Sequence, residues 1–308
     1  MGEKLRVFEA FSGYGSQSIA LRNIGVDYEV VAISEIDKYA IQAYEAIHGK
    51  ANNLGDISKI NVRDIPNHDL FTYSFPCQDI SVAGNKKGIE RGKTRSGLLY
   101  ECEKIIEAKR PKYLLMENVK NLVSKKFKSQ FDEWLNYLEQ LGYTNYWQVL
   151  SSKDYGIPQN RERMFVVSIL GEHKPYEFPD GTELSITVLD LLEKNVPNKY
   201  NMSDKCIEKM KRFQPRDASR GYLSKLIAPV LTTELAHSSG KNFYPKMCII
   251  LNEYRRITPR EAFRLMGMRD EDIDKIQSIG ISDTQQYKMA GNSIVVNVLE
   301  AIFKNLFK

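Results

Sequence analysis

The sequence predicts an α/β fold in which a Rossmann-like domain contains a smaller inserted domain. Strand and helix patterns alternate over the first 170 residues. A glycine turn, Gly13-Tyr14-Gly15, follows the first of these strands and opens a helix, as it does in nucleotide-binding α/β domains. The alternation stops over residues 172–252, where prolines recur between short apolar pieces, and then returns.

Short apolar runs bounded by turn residues predict strands. They cover residues 4–11, 28–34, 69–75, 112–116 and 164–170. Apolar residues at helical spacing predict the helices between them. They cover residues 16–24, 37–47, 98–106 and 127–141. Because strands and helices alternate, the strands are expected to form a parallel sheet covered by helices.

Residues 172–256 are predicted to form the small inserted domain, with short or irregular β structure. After it, Thr258-Pro259-Arg260-Glu261 has the pattern of a capping box with proline at the first helical position. The last helix carries an apolar stripe from Ile294 to Leu306. We therefore predict a first domain at residues 1–171 and a C-terminal segment, 257–308, that returns to it.

The composition is that of an ordinary globular protein of 308 residues, 42% hydrophobic and 27% charged. The net charge of +5 is compatible with a polyanionic partner. No apolar run approaches the roughly 18 residues that a membrane span needs, and no signal peptide is recognisable, so a cytoplasmic protein is expected. The four cysteines form no CxxC pair and have no histidine cluster nearby, so neither a metal site nor a disulfide framework is expected.

The glycine turn has the features of a site for an adenosine-containing ligand. Its glycines allow a tight turn and a close approach of the backbone to a ligand. Glu35 ends the next strand, 20 residues after Gly15, where a carboxylate can accept hydrogen bonds from ribose hydroxyls. Asp56 is a further acid that could contact an adenine amino group. The turn lacks the third glycine and the lysine of a phosphate-binding loop, so we predict S-adenosylmethionine as the ligand. The alternative is a glycine turn beside solvated acids.

Three further segments carry groups suited to attack on an electron-poor ring. Cys77 follows Pro76 at a strand end and could act as a nucleophile in its thiolate form. Glu117 ends another apolar strand. Arg161 and Arg163 alternate along an extended segment, so they would share one face. The alternatives are an inert buried cysteine, a strand-end acid and surface ion pairs.

Residues 84–95 carry a net charge of +4, close to the net +5 of the whole chain, with five cations against a single acid, Glu90, and several glycines. A solvated charge run is the usual explanation. Next to a candidate nucleophile, such a loop is better explained as a lid that closes on phosphates. The cations are Lys86, Lys87, Arg91, Lys93 and Arg95.

Seven ordered blocks of the sequence resemble motifs of the bacterial and phage DNA cytosine-5 methyltransferases, the restriction-modification type. The resemblance spans nearly the whole chain. The blocks are Phe11-Ser12-Gly13-Tyr14-Gly15, Ser34-Glu35-Ile36-Asp37, Gly55-Asp56-Ile57, Phe75-Pro76-Cys77-Gln78, Glu117-Asn118-Val119, Gln159-Asn160-Arg161-Glu162-Arg163 and Gly291-Asn292-Ser293-Ile294-Val295-Val296.

The resemblance implies a DNA (cytosine-5-)-methyltransferase with a Rossmann-like, S-adenosylmethionine-dependent domain. It would act on a cytosine flipped out of a specific short duplex sequence. Cys77 would attack C6 of the base, and Glu117 would bind N3 and the exocyclic amine. Arg163 would contact O2, and Arg161 would support the loop near Cys77. The methyl group would move to C5, leaving S-adenosylhomocysteine as the second product.

The resemblance also implies binding residues. Those of the cofactor pocket would be Phe11, Gly13, Gly15, Glu35, Ile36, Asp56, Ile57, Pro76, Leu98, Asn292 and Ser293. Contacts with DNA would come from Gln78, Ser81, Lys86, Lys87 and Arg95. Residues 1–171 would be the catalytic and cofactor-binding domain, and residues 172–256 the target recognition domain. The expected partners are double-stranded DNA and a cognate restriction endonuclease acting separately. A monomer is expected because one chain contains every expected part.

The chain departs from the family pattern at a few positions. Glu9 and Ala10 stand where Asp-Leu is common, and Ser16 replaces a usual glycine. Val230 replaces a usual threonine at a position tied to packing against the target backbone. None of these changes removes a candidate catalytic group.

Three alternatives stay open. An RNA cytosine-5 methyltransferase would use the same chemistry, but the Cys-Phe-Thr element of that branch is absent from the sequence. A non-catalytic DNA-binding relative would have no need of Cys77, Glu117 and the arginines. A nicotinamide-dependent dehydrogenase would explain the glycine turn and Glu35 but not Pro76-Cys77.

Overall fold

The computed structural model of the protein describes residues 3–77, 79–80, 89–90, 93–204, 208, 227–231, 248–250 and 254–308. The chain divides into two units. The first contains Met1–Leu150, Glu162–Pro179 and Glu300–Lys308, and the second contains Ser151–Arg161 and Asp180–Leu299.

A six-stranded sheet is the framework of the first unit. Its six strands are β1 (Leu5–Ala10), β2 (Tyr28–Ser34), β3 (Leu70–Tyr73), β4 (Tyr113–Val119), β5 (Tyr143–Ser151) and β7 (Glu162–Leu170). The two-residue strand β6 (Gln159–Asn160) lies between β5 and β7 in the chain and is not part of this sheet. Their order across the sheet is β2-β1-β3-β4-β7-β5. β1 is parallel to β2 and β3, and β3 is parallel to β4, whereas β7 is antiparallel to β4.

Helices follow the strands along the chain. In the first half they are α1 (Ser16–Asn23), α2 (Lys38–His48), α3 (Leu99–Lys109) and α4 (Lys128–Gln140). Later elements are β8 (Ala228–Pro229), β9 (Cys248–Ile250), β10 (Tyr254–Arg256), α5 (Pro259–Arg264), α6 (Asp270–Ser278), α7 (Asp283–Asn292) and α8 (Val296–Phe307). β6 pairs with β8 in parallel, and β9 pairs with β10 in antiparallel orientation.

The predicted α/β alternation is confirmed, but two features of the sheet differ from the prediction. The apolar pattern does not predict β5, because this strand lies at the edge of the sheet and exposes Thr144, Trp147 and Gln148. β7 is antiparallel to β4, where alternation predicts a parallel strand. Only residues 152–161 connect β5 to β7, its neighbour in the sheet. This connection is too short for a parallel pair, which needs a crossover of about a dozen residues or more, usually a helix.

The two units differ from the predicted domains in two places. Residues 151–161, predicted in the first domain, belong to the second unit. Of the segment 257–308, only Glu300–Lys308 belongs to the first unit. The predicted capping box of α5 is confirmed: Thr258 Oγ1 accepts a hydrogen bond from the Glu261 N–H at 3.2 Å, and the Glu261 carboxylate accepts one from the Thr258 N–H at 2.8 Å.

The central strands are buried on both faces of the sheet, which explains their continuous apolar runs. Phe8 of β1 stacks on Phe71 of β3 with ring centroids 5.2 Å apart, and Phe71 stacks on Tyr73 at 5.1 Å. Trp134 of α4 meets the ring of Tyr73 edge-on at 6.3 Å. Within the described ranges, none of the helices combines the length and the hydropathy that a bilayer span requires.

One carboxyl group is fully buried in this core. Glu9 lies in β1, just before the glycine turn, and its Oε1 accepts a hydrogen bond from Ser18 Oγ of α1 at 2.7 Å. Burial removes water from the carboxylate and raises the pKa of Glu9 to about 7, against the lowering effect of hydrogen bonds from Ser18 and Tyr44. The group is therefore mostly protonated in the folded chain under mildly acidic conditions, where an unfolded chain would ionise it.

The substitution Glu9→Gln should make the titration of Glu9 measurable as a pH-dependent change in the free energy of unfolding. Because the folded pKa is raised, Glu9 stabilises the folded chain most below pH 4.5, and this contribution is lost as the pH rises to about 7. The glutamine side chain does not titrate. Between pH 4.5 and about 7, the free energy of unfolding of Glu9→Gln minus that of the wild type should therefore rise by about 1.4 kcal/mol per pH unit. Above that range the difference should level off. Urea unfolding at several pH values measures this, with Glu133→Gln, an exposed glutamate, as the control. A difference that does not vary with pH would contradict the buried titration.

Candidate active site

The ends of five strands meet at one edge of the sheet. β1 to β4 are parallel, so their carboxyl ends share that edge, and β7 enters the sheet there because Arg163 pairs with Val119 at the end of β4. In α/β folds, ligands bind outside the carboxyl ends of the strands. The candidate residues at or just beyond these strand ends are Phe11, Gly13, Gly15, Glu35, Ile36, Pro76, Cys77, Glu117 and Arg163.

The turn after β1 has a left-handed backbone at three positions. Phe11, Gly13 and Gly15 have φ values of 56°, 57° and 83°. A Cβ atom on Gly15 would lie 2.5 Å from His48 Nε2 and 2.7 Å from a ring carbon of Tyr44. A Cβ atom on Gly13 would have nothing within 4 Å. The turn is therefore packed against α2 at Gly15 and open at Gly13.

Glu35 holds this turn in place. One carboxylate oxygen accepts a hydrogen bond from the Gly13 N–H at 2.9 Å, and the other accepts from the N–H groups of Ile36 and Asp37 at 2.8 and 2.9 Å. Asn53 Oδ1 accepts a hydrogen bond from the Glu35 N–H, and Asn53 Nδ2 donates one to Glu35 O, each at 3.1 Å. Ile36, which follows, is 74% exposed and offers an apolar surface beside the carboxylate.

Asp56 is held beside the end of β2. Ser34 Oγ donates to Gly55 O at 2.7 Å, which ties the segment to that strand. Asp56 Oδ1 accepts hydrogen bonds from the Ser58 N–H at 3.0 Å and the Ser58 hydroxyl at 2.7 Å. These hydrogen bonds lower the pKa of Asp56, so it is an anion at neutral pH. Ile57 is buried in the core and fixes the other side of the segment.

These groups suit an adenosine ligand without phosphates. A carboxylate has about four acceptor sites, so Glu35 keeps acceptor capacity for a ribose hydroxyl beyond its three backbone bonds. Ile36 offers an apolar surface for an adenine ring, and Asp56 an acceptor for its amino group. The open side of Gly13 permits close approach of a ligand. The donor set therefore fits S-adenosylmethionine.

Cys77 is partly exposed on a segment whose backbone is held by neighbouring groups. Asn118 Nδ2 of β4 donates to Phe75 O at 3.0 Å. The Ile80 N–H donates to Cys77 O at 2.9 Å. Because Asn118 follows Glu117 in β4, the first of these bonds joins the Cys77 segment to the strand that carries Glu117.

Glu117 and Arg163 form an ion pair at this edge. Arg163 Nε lies 3.1 Å from Glu117 Oε1, and the two side chains are 18% and 11% exposed. Arg163 Nη1 also donates to Glu162 O at 2.8 Å. The strands bring the two side chains together, because Glu117 pairs with Phe165 and Arg163 with Val119. Sheltered from water, this pair is less screened than one at the surface.

Arg161 has different surroundings from Arg163. Its guanidinium donates to Leu231 O at 2.9 Å, to Gly291 O at 3.1 Å and to Ser293 O at 2.6 Å, all within the second unit. The two arginines therefore bond to different groups, Arg163 to Glu117 and Arg161 to backbone carbonyls of the second unit. Arg161 lies in the break between β6 and β7. The shared face of the two arginines stays a prediction.

The other predicted residues are distributed as follows. Asn292 ends α7 and Ser293 follows it, both in the second unit. Leu98 packs against the core of the first unit, and Arg95 is exposed. Gln78, Ser81, Lys86 and Lys87 lie outside the described residues, as does most of the predicted cationic loop.

Sequence reasoning does not single out several side chains that shape these segments. Asn53, Asn118 and Ser96 bind backbone groups of the first unit, and Gln159 does so in the second, where Nε2 donates to Leu265 O at 2.6 Å and Oε1 accepts from the Leu231 N–H at 3.0 Å. Asn118 and Gln159 lie inside blocks of the family resemblance, which was the only signal for them. Their partners are backbone groups distant in sequence, which no local pattern indicates.

Comparison with known proteins identifies the family. The profile of the family described as C-5 cytosine-specific DNA methylase matches residues 5–308. The chain belongs to this family of C-5 cytosine-specific DNA methylases.

Individual relatives agree with the family. The chain is 41% identical to the Type II methyltransferase M2.ScrFI of Lactococcus lactis subsp. cremoris over 99% of each chain. It is 36% identical to the Type II methyltransferase M.NlaX of Neisseria lactamica over 98% of this chain and 96% of that one. The structure of the Entamoeba histolytica methyltransferase EhMeth matches with a TM-score of 0.80 and 21% identity, over 99% of this chain and 98% of that one. The predicted Rossmann-like methyltransferase fold is thereby confirmed.

The protein is a DNA cytosine-5 methyltransferase, and its methyl donor is S-adenosylmethionine. This confirms the activity and the cofactor that the sequence motifs predict. Membership of the family excludes the dehydrogenase alternative, and the DNA methylase match favours DNA over RNA as the substrate.

The packing of Gly15 predicts the effect of Gly15→Ala. Gly15 and Gly156 both have a left-handed helical backbone, with φ values of 83° and 80°, which costs alanine about 1–2 kcal/mol. The new methyl group meets His48 and Tyr44 at Gly15, whereas the nearest atom to a Cβ at Gly156 is Asn297 Nδ2 at 3.9 Å, an ordinary contact. Gly15→Ala should therefore lower the free energy of unfolding by roughly 1–3 kcal/mol more than Gly156→Ala. It should also weaken S-adenosylmethionine binding, measured by titration calorimetry. Equal effects of the two substitutions would contradict the packing argument.

Proposed function

We propose that this chain methylates C5 of a cytosine flipped out of a specific short duplex DNA sequence, through a covalent bond between Cys77 and C6 of the base. One observation carries the proposal. The Asn118–Phe75 hydrogen bond of 3.0 Å joins the Cys77 segment to the strand of Glu117, and Glu117 pairs with Arg163 at 3.1 Å. A nucleophile, an acid–base group and a cation are thus held by one unit at one edge of its sheet.

C5 of cytosine is a poor nucleophile until C6 carries an additional substituent. In the proposed reaction, the Cys77 sulfur gives an electron pair to C6, and the electrons of the C5–C6 double bond move toward N3. Glu117, hydrogen-bonded to N3 and the exocyclic amine, stabilises the resulting enamine. S-adenosylmethionine supplies an electrophilic methyl group on a sulfonium sulfur. Loss of the proton from methylated C5 to a base re-forms the C5–C6 double bond and breaks the bond from C6 to sulfur, which releases the Cys77 thiolate.

Arg163 serves two purposes in this proposal. Its ion pair with Glu117 orients the carboxylate at the edge of the sheet. A guanidinium has five N–H donors, and the bonds to Glu117 and Glu162 engage two of them. The remaining donors can reach O2 of the base. Arg161 takes a supporting role, because its three bonds to backbone carbonyls hold the segment of Leu231 and Ser293 in the second unit.

We assign the cofactor to the residues around Glu35. Its carboxylate would bind the ribose hydroxyls, while Ile36 and Asp56 would contact the adenine. The turn from Phe11 to Gly15 would approach the ligand through its backbone. The other proposed cofactor residues, Ile57, Pro76, Leu98, Asn292 and Ser293, follow from their positions in the family motifs.

The DNA contacts belong to the same proposal. Attack on C6 requires the base to leave the stack, because the target atoms are inaccessible in a duplex. We assign residues 172–256 to target recognition, and Gln78, Ser81, Lys86, Lys87 and Arg95 to contacts near the flipped base. The chain would act as a monomer in the cytoplasm, where its DNA substrate lies, and a cognate restriction endonuclease would act separately on the same sequence.

Base-resolution mapping of 5-methylcytosine in DNA from cells expressing the chain tests both the reaction and its specificity. We expect near-complete methylation at one short motif with the wild type and none with Cys77→Ser, because a serine hydroxyl is not ionised at neutral pH. Cys77→Ser should bind S-adenosylmethionine as the wild type does, measured by calorimetry. Methylation by that variant would remove Cys77 as the nucleophile. Methylation of transfer RNA but not of DNA by the wild type would support the RNA alternative.

The role of Glu117 is tested by Glu117→Gln, which keeps the shape of the side chain but removes its charge and proton. A positioned acid–base group contributes about 10²–10⁴-fold to the rate, so single-turnover methylation should slow by that factor. The matched control is Glu162→Gln, an exposed glutamate in the same strand as Arg163 that pairs with Lys120 at 2.9 Å. Wild-type rates in both variants would remove Glu117 from the mechanism.

A further inference from the structure

A buried serine bonds both ends of the short stretch that contains Cys77. Ser96 is fully buried, and Asp79 is 5% exposed. Ser96 Oγ donates to Pro76 O at 2.7 Å, and the Ser96 N–H donates to Asp79 Oδ2 at 3.3 Å. Pro76 lies directly before Cys77, and Asp79 lies two residues after it. The two bonds therefore form a clamp on the stretch from Pro76 to Asp79.

Asp79 attaches this clamp to the short 3₁₀ helix Arg95–Leu98, which runs directly into α3. Its Oδ2 also accepts a hydrogen bond from the Arg95 N–H at 2.9 Å. The first N–H groups of a helix have no partner within the helix, so a carboxylate there is stabilised by them. The Cys77 stretch is thereby fixed to the beginning of a helix whose own position is set by the core.

Capping the short helix does not by itself account for Asp79. Thr94 Oγ1 already caps that helix by accepting the Gly97 N–H at 3.2 Å. Burying a carboxylate costs free energy that an apolar side chain of similar size would not. What the carboxylate adds is the connection between the helix and the stretch that carries the nucleophile.

The flanking parts of the segment are held from elsewhere. Asn118 bonds Phe75 O, and the side-chain amide of Asn121 bonds Ile80 O. Both asparagines belong to β4 or to the turn that follows it. The clamp holds the part between them from the side of α3, so the backbone around Cys77 is supported from two elements of the first unit.

We propose that Asp79 is a positioning residue for the Cys77 nucleophile and that it acts through Ser96. The inference rests on the proposed function, in which the Cys77 sulfur attacks C6 of cytosine. The sulfur must approach the plane of the base along one direction. A misplacement of about 1 Å can cost about 10²-fold in rate, so a fixed backbone on both sides of Cys77 contributes directly to turnover.

Steady-state methylation of duplex DNA carrying the mapped motif tests this with the full chain. Asp79→Ala should lower kcat about 10- to 100-fold, while the KM for DNA and the affinity for S-adenosylmethionine stay near the wild-type values. Asp79→Asn should recover most of the lost kcat, because its amide oxygen can accept both N–H bonds. The control is Asp64→Ala, an exposed aspartate of the same unit, which should turn over as the wild type does.

Three further measurements separate positioning from a general loss of structure. Ser96→Ala keeps Asp79 and its backbone bonds but removes the bond to Pro76, so it should also lower kcat. The double variant should be no slower than the slower single variant, because both changes break one clamp. Covalent capture by DNA with fluorine at C5 of the target cytosine, where no proton can be removed, should slow in proportion to kcat in each variant.

The outcomes that overturn the inference are distinct from those that overturn the proposed function. Wild-type kcat in Asp79→Ala, or equal losses in Asp79→Asn and Asp79→Ala, would overturn the positioning role. If Asp79→Ala fails to fold, wild-type kcat in Ser96→Ala would do the same. Cys77→Ser in the same assay examines the nucleophile independently: turnover by that variant would overturn the proposed function.

Discussion

This site depends on one constraint: the backbone N–H and C=O groups of the loops beyond the strand ends need hydrogen-bond partners that the sheet does not supply. Strands β1 to β4 run in parallel, so the loops beyond their carboxyl ends must satisfy their N–H and C=O groups outside the ladder. Side chains supply the missing bonds: Glu35 accepts three N–H groups at 2.8–2.9 Å, and Asn118 donates to Phe75 O at 3.0 Å. In the proposed function, Glu35 binds the cofactor ribose and Asn118 holds the segment of Cys77, so the side chains that shape these loops also serve the reaction.

Two carboxyl groups of the same sheet illustrate how their partners determine their electrostatic behaviour. Glu9 is fully buried and bonded to the Ser18 hydroxyl, and burial raises its pKa to about 7. Glu117, in β4 on the other side of β3, keeps some exposure and faces the guanidinium of Arg163 at 3.1 Å. The first is buried between β1 and α1, where a neutral carboxyl group costs less than a charged one. The second stands at the carboxyl-terminal edge of the sheet, where the proposed mechanism has it bind the base.

Much of the fold could be predicted because strands buried on both faces need continuous apolar residues, and those residues are visible in the chain. The central strands, the four helices between them and the capping box at Thr258 all follow from such patterns. Edge strand β5 could not, since it exposes Trp147 and Gln148 and needs no such run. The direction of β7 depends on the length of its connection to β5, which the apolar pattern does not record.

The identity and order of the reactive groups are local properties of the chain, and they predicted the methyl donor directly and the class of reaction through the family that they resemble. Which group each side chain meets is not local. Arg161 and Arg163 look equivalent in sequence, yet Arg163 pairs with Glu117 while Arg161 bonds carbonyls 70 and 130 residues away, at Leu231 and Gly291. Asp79 likewise finds its partners at Arg95 and Ser96. Such pairings are set by strand register and by the path of loops through space, so only the folded chain decides them.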